Sequence, residues 1–385
     1  MRTTMFILFF GVFFAILGSI SFYIFLRGLQ AIPADSSLRH AYSVVFWTVA
    51  LSFIGGRVLE RVLPSILADL LIWMGSFWIG AILYLLIAVV SLDLLRLVNH
   101  FIPFFPQAVT GNYAQAKYVT LAGITGLVGV LLLAGHVNAM LPRVKELSLA
   151  MPRNAAGMKH LDIVVASDIH LGNIIGRSHL DQIVDKINSL DPDLVLLPGD
   201  IVDEDLAPVI KQNLGESLRK LRTRLGVYAV TGNHEYIGGV EQACAYLTEH
   251  NVTMLRDQSV KVGDSVYLVG REDRSMNRFA GSQRKSLAEL MAAVDRSYPV
   301  ILMDHQPFGL DEAASQDIDL QISGHTHAGQ LWPLNYIVDS IYELPWGYKK
   351  ISGTHFYVSN GVGTWGPPLR IGNRPEIVRI RLNFE

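Results

Sequence analysis

The sequence predicts two parts of different class. Residues 1–141 read as an α-helical transmembrane domain of about four spans, and residues 161–385 as an α/β domain, with a linker at 142–160 between them. Charge separates them first. Half of the 385 residues are hydrophobic, yet residues 1–141 carry only seven of the 32 Lys and Arg and four of the 34 Asp and Glu. Periodicity separates them again: beyond residue 160, short apolar runs alternate with stretches of helical spacing, the pattern of an α/β fold.

The spans follow in order. Met5–Leu26 is uncharged and ends at Arg27. Ala41–Gly56 is shorter, and reaches Leu59 if Arg57 snorkels to the interface. Leu70–Leu92 is bracketed by Asp69 and Asp93, and Tyr118–Leu141 has His136 as its one ionisable group. Three of these runs meet the ~20 residues that cross a hydrocarbon core. A cleaved signal peptide is the alternative for the first, but its apolar run exceeds the ~7–15 residues of a signal core and further spans follow. Between Leu94 and Lys117, two prolines and three phenylalanines suggest an interfacial loop. An even number of spans puts both termini on one side. Arg2, Arg57, Arg61, Arg143, Lys145, Arg153 and Lys159 then face Arg27, Arg39, Arg96 and Lys117 across the membrane. That bias predicts a cytoplasmic second domain under the positive-inside rule.

The second domain is mildly acidic, which argues against a nucleic-acid partner, whose phosphates demand positive charge. Cys244 is the only cysteine, so no internal disulfide forms, and its apolar surroundings predict core packing. Strands are expected at Leu161–Ser167, Leu194–Leu197, Val227–Val230, Val266–Val269, Val300–Met303, Leu320–Ser323, His355–Ser359 and Ile377–Arg381. Helices are expected after the first strand, at about Ala207–Arg222, at Val240–His250 and at Leu287–Val294.

Five histidines (His170, His234, His305, His325 and His327) sit just past the end of an apolar strand, as do Asp168 and Asp200. Ligand sites in α/β sheets gather outside the carboxyl ends of strands, so such residues converge without being neighbours in sequence. Imidazole and carboxylate donors without thiolates suit Mn, Fe or Zn. His160, His179, His250 and His355 lack this placement and read as structural. Asp203 is either a partner that orients a ligand or a helix cap, and Glu235 is a candidate for the first of these roles. Arg271, Arg274, Arg278 and Arg284 either grip phosphate or line a solvated loop.

Asp168-x-His170, Gly199-Asp200-x-x-Asp203, Gly232-Asn233-His234-Glu235, His305 and Gly324-His325-x-His327 resemble, in order, the motif set of the calcineurin-like metallophosphoesterases. The resemblance implies two packed β-sheets flanked by helices. It also implies two divalent metal ions, manganese fitting best. Asp168, His170, Asp200 and His327 would hold the first, and Asp200, Asn233, His305 and His325 the second, Asp200 bridging. His234 would stabilise or protonate the leaving oxygen. The ending Gly361-x-Gly363-x-Trp365-Gly366-Pro367-Pro368-x-Arg370 is similar to membrane-associated members, among them phosphodiesterases and lipid A pathway pyrophosphohydrolases. The expectation is hydrolysis of a phosphodiester or pyrophosphate of a lipid-linked or membrane-proximal substrate, by a metal-activated hydroxide and without a covalent enzyme intermediate. The alternative is a membrane sensor or scaffold that keeps the fold without turnover.

Overall fold

The computed structural model describes residues 2–63, 65–153 and 155–384; the side chains of residues 2–10, 13 and 14 lie outside the description. The chain forms two compact units, Met1–Gly135 and His136–Glu385.

The first unit is helical. Among the described residues, Leu38–Val62, Ile66–Phe101 and Tyr113–Ala139 are long and apolar enough to cross a membrane. The expected first span, Met5–Leu26, falls on the helix Arg2–Ala31, and its side chains at positions 5–10, 13 and 14 lie outside the description. The helices outrun the uncharged windows because their charges find partners. Asp93 lies within the helix Ile66–Phe101, 2.6 Å from Arg27 and 3.3 Å from Arg96. Arg57 meets Glu60 at 3.4 Å one turn on, inside Leu38–Val62. Glycine lets these two helices approach closely: a Cβ on Gly75 would collide with the Phe53 backbone, and one on Gly56 with Ile72. Small residues at the crossing are the usual device where no hydrophobic force drives spans together.

Among the described residues the second unit contains twelve strands: β1 (Arg143–Met151), β2 (His160–Val165), β3 (Leu194–Pro198), β4 (Val227–Val230), β5 (Thr253–Met254), β6 (Gln258–Val262), β7 (Val266–Gly270), β8 (Val300–Met303), β9 (Leu320–Ser323), β10 (Gly347–Ile351), β11 (Thr354–Val358) and β12 (Glu376–Phe384). They build two six-stranded sheets, of order β1-β12-β2-β3-β4-β5 and β10-β11-β9-β8-β7-β6. The central strands β2, β3 and β4 are parallel, as are β7, β8, β9 and β11. Their continuous apolar runs are explained by burial on both faces. Ile163, Leu196, Ile301 and Ile322 pack in one core shared by the two sheets. The alternate residues Val164 and Val195 pack with Ile183 and Leu247 of the helices over the first sheet. Val300 and Leu302 pack with Leu290 and Leu310 over the second.

Two expectations need correction. The linker at 142–160 contains β1, which pairs in parallel with β12 along its whole length. Only Leu149 and Met151 of β1 are buried, and Arg143, Lys145, Glu146 and Ser148 interrupt its apolar residues. The single helix at 207–222 is instead two short ones, Ala207–Lys211 and Gly215–Leu218, interrupted where Asn213 takes a φ of 51°.

His179, in the helix Arg177–Asn188, is 5% exposed, and neither of its ring nitrogens has a hydrogen-bond partner among the described residues. Burial, aided by His136, pushes its pKa down to about 4. The unfolded chain takes up this proton near pH ~6.5, the folded chain only near pH 4, so this contribution to stability is lost as pH falls between the two. The loss by pH 4 is on the order of 3 kcal/mol. Thermal unfolding followed by circular dichroism in detergent should show a shallower fall between pH 7 and 4.5 for His179→Leu than for the parent protein.

Candidate metal centre

The site is assembled at the carboxyl ends of strands from both sheets. β2 runs into Asp168 and His170, β3 into Asp200, β4 into Asn233 and His234, β8 into His305, and β9 into His325 and His327. The chain must turn sharply there to aim these side chains inward. Asp168, His170, Asp200, His325 and His327 all have positive φ, between 49° and 74°. Such conformations cost about 1–3 kcal/mol each for a non-glycine residue and persist only where the surroundings enforce them. Two glycines are required by space: a Cβ on Gly324 would strike Ser167 and the Asp168 carboxylate, and one on Gly232 the Asp200 carboxylate.

All seven ligand candidates and His234 come together. Asp168, His170 and His327 offer donor atoms within 4.8 Å of one another, and so do Asp200, His305 and His325. Asp200 Oδ2 lies 3.1 Å from His305 Nε2 and 3.9 Å from His170 Nε2, between the two groups. Asn233 Oδ1 is 3.3 Å from His305 Nε2.

This donor set fits divalent cations. His305 Nδ1 donates to the Pro198 carbonyl at 2.8 Å, which leaves Nε2 to face two oxygen acceptors. A proton or a cation must stand among those three atoms. Burial disfavours a charged His305, but Asp200 and Asp168 outweigh it and raise its pKa well above the ordinary value. The site therefore draws positive charge strongly. His170 Nε2 and His327 Nε2 face each other at 3.0 Å. Burial and the Arg370 guanidinium hold His327 well below the usual histidine range, in the neutral form that metals bind.

The surrounding groups fix the donors. Glu235 accepts from the backbone N–H groups of Asp200, Ile201, Val202 and Gly232, at 2.7 to 3.1 Å. It thereby clamps the turn after β3 to the turn after β4. Asp203 Oδ1 sits 3.3 Å from His170 Nδ1 and 3.1 Å from His234 Nδ1. It orients both rings; the next helix is served instead by Asp205, which accepts from Ala207 N–H at 2.9 Å. Burial disfavours a charged His234, yet Asp200, Asp203 and Glu204 prevail and raise its pKa to about 9. Arg271 and Arg284 are committed to Asp304, at 3.4 and 2.9 Å. Arg274 stacks on Phe308, and Arg278 on Phe279. His250 and His355 are bonded to Tyr246 and Tyr348.

Arg370 was legible only as part of a motif, with no role attached. It is 1% exposed and donates to the carbonyls of His327, Gly361 and Gly363, at 2.6 to 3.3 Å. Its Nη2 also stands 3.0 Å from His327 Nδ1. Val362 and Gly363 in turn donate to the carbonyls of Ser167 and Asp168. Arg370 thus staples the turns that carry Asp168 and His327. Arg370→Lys keeps the charge and loses the fork; weaker metal binding at the Asp168/His170/His327 group is expected, by the ~10–100-fold typical of outer-shell partners. Isothermal titration with Mn²⁺ checks it: two unchanged binding steps would contradict the staple.

The sequence profile of the calcineurin-like phosphoesterase family matches residues 161–329. A bovine (Bos taurus) transmembrane protein with metallophosphoesterase domain is 36% identical over 269 residues, 66% of this chain and 60% of that one. An uncharacterized metallophosphoesterase of Helicobacter pylori is 35% identical over 246 residues, covering 63% of this chain and 64% of that one. The matches thus span less than two thirds of these two relatives. An uncharacterized metallophosphoesterase of Aquifex aeolicus is 31% identical over 249 residues, 64% of this chain and 94% of that one. With these relatives, two six-stranded sheets and a cluster of buried His and Asp where the motifs meet, the chain belongs to the calcineurin-like phosphoesterase family.

Proposed function

We propose that the protein is a membrane-anchored hydrolase that cleaves a phosphodiester or pyrophosphate bond in a lipid-linked or membrane-proximal substrate. One observation carries this reading: a single carboxylate, Asp200, lies between two groups of buried imidazole and carboxylate donors. Asp168, His170, Asp200 and His327 would hold one divalent ion, Mn²⁺ by preference, and Asp200, Asn233, His305 and His325 the other. Such a pair supplies Lewis acidity, lowering the pKa of a water and clamping phosphoryl oxygens. With two carboxylates and one neutral amide among the donors, the loaded site keeps net positive charge, suited to a phosphate ester.

The chain's own groups complete the chemistry. His234, beside Asp203, would give a proton to the departing oxygen. Trp365, 53% exposed, stands edge-on to His234 at 6.0 Å. Trp332, Tyr336, Ile337 and Ile341 expose further apolar surface around the helix Asn335–Ile341. Exposed aromatic and aliphatic groups of this kind favour a membrane-proximal substrate. The positive-inside bias supports a cytoplasmic second unit.

The test is a screen of purified full-length protein against diesters, monoesters and nucleotide-linked lipids with Mn²⁺, Fe²⁺ and Zn²⁺. Preference for diesters or pyrophosphates, greatest with the lipid-linked compound, is expected. Turnover of none of them would favour the sensor reading. A reporter fused after Glu385 checks the side of the membrane: activity only outside the cytoplasm would overturn that assignment.

A further inference from the structure

The helices of the first unit wall a half-open cavity of about 720 Å³. That is the size of a small-molecule site, ~300–1,000 Å³. All four long helices wall it, through Ile24, Val49, Leu85 and Leu132 among others, and most of the lining is apolar. The charged lining residues come from matching ends of the helices. Arg27 lies near the end of Arg2–Ala31, Arg96 near the end of Ile66–Phe101, and Lys117 near the start of Tyr113–Ala139. Among the lining residues these three cations face one acid, Asp93. Arg27 and Arg96 share that acid, at 2.6 and 3.3 Å, so positive charge is left over. One buried donor at this end of the lining, Arg27 Nε, has no hydrogen-bond partner among the described residues.

We infer that this cavity is a binding site for a glycerophospholipid with an anionic headgroup. Apolar space between spans is filled by acyl chains, because packing contacts are otherwise forfeited on every wall. A surplus of guanidinium and ammonium groups at one end selects the headgroup, because such donors form charge-assisted hydrogen bonds with phosphate oxygens. Arg27 Nε, at the cationic end, gives a phosphate oxygen a specific contact. A neutral or zwitterionic lipid fills the apolar part equally well and leaves the cationic end uncompensated. The inference concerns the membrane unit alone and stands or falls independently of hydrolysis.

Native mass spectrometry of the full-length protein in detergent tests it, with phosphatidylglycerol and phosphatidylcholine added in turn, and glycerol phosphate as the free-headgroup control. Phosphatidylglycerol should be retained at least tenfold more tightly than phosphatidylcholine, and glycerol phosphate not at all. The double variant Arg96→Gln, Lys117→Gln should erase that preference. Gly129→Leu offers an independent check with the charges intact, since a Cβ at Gly129 meets nothing within 4 Å and this residue lines the cavity. It should reduce retained phosphatidylglycerol severalfold. Equal retention of both lipids by the parent protein, or undiminished phosphatidylglycerol in both variants, overturns the site; retention of glycerol phosphate alone makes it a simple anion site and likewise overturns the lipid assignment.

Discussion

His234→Gln will keep two metal ions per chain while kcat falls by about 10²–10⁴-fold, the usual contribution of general acid–base help. The expectation rests on position. His234 follows Asn233 at the end of β4, is 5% exposed, and is tied through Nδ1 to Asp203 rather than to either proposed ligand group. Its backbone N–H donates to Asp200 Oδ1 at 2.9 Å, a bond that the substitution preserves. Glutamine retains hydrogen-bonding capacity but cannot deliver a proton near neutral pH. Metal analysis beside steady-state kinetics separates the roles, and a variant that loses its metals would place His234 among the ligands.

Asp200→Asn should have the larger effect on binding, because one carboxylate serves both donor groups. Its loss removes a negative charge from two ions at once. Affinity for both should fall by more than the ~10–100-fold typical of outer-shell changes, and activity should vanish at limiting metal. The fold should survive. Asparagine keeps an oxygen for the His234 N–H, and Glu235 still accepts from the backbone N–H of residue 200. Titration of the variant with Mn²⁺ checks this, and one intact high-affinity step would show that Asp200 belongs to a single ion.

Much of this site could be read from the sequence because its chemistry demands particular residue types at strand ends. Asp168, Asp200, His305 and the pair His325 and His327 each follow an apolar run that is buried on both faces. What escaped was held by contacts between segments distant in the chain. Nothing local marks Arg370 as the staple of His327, 43 residues away, or chooses between the two roles open to Asp203. β1 escaped because Arg143, Lys145 and Glu146 crowd its first half and leave only the short alternation Leu147, Leu149, Met151. The consequence is practical: a truncation at Ala150, natural on the linker reading, would strip most of β1 from β12 and uncover the shared core where Leu149 sits. In the membrane unit, ion pairs let helices run past the charges that bracket each apolar window.

Metal dependence tests the central claim most directly. Full-length protein stripped with a chelator should lose hydrolysis of bis(p-nitrophenyl) phosphate and regain it as Mn²⁺ is added back, saturating at two ions per chain. Full activity in protein shown to be metal-free would contradict the account.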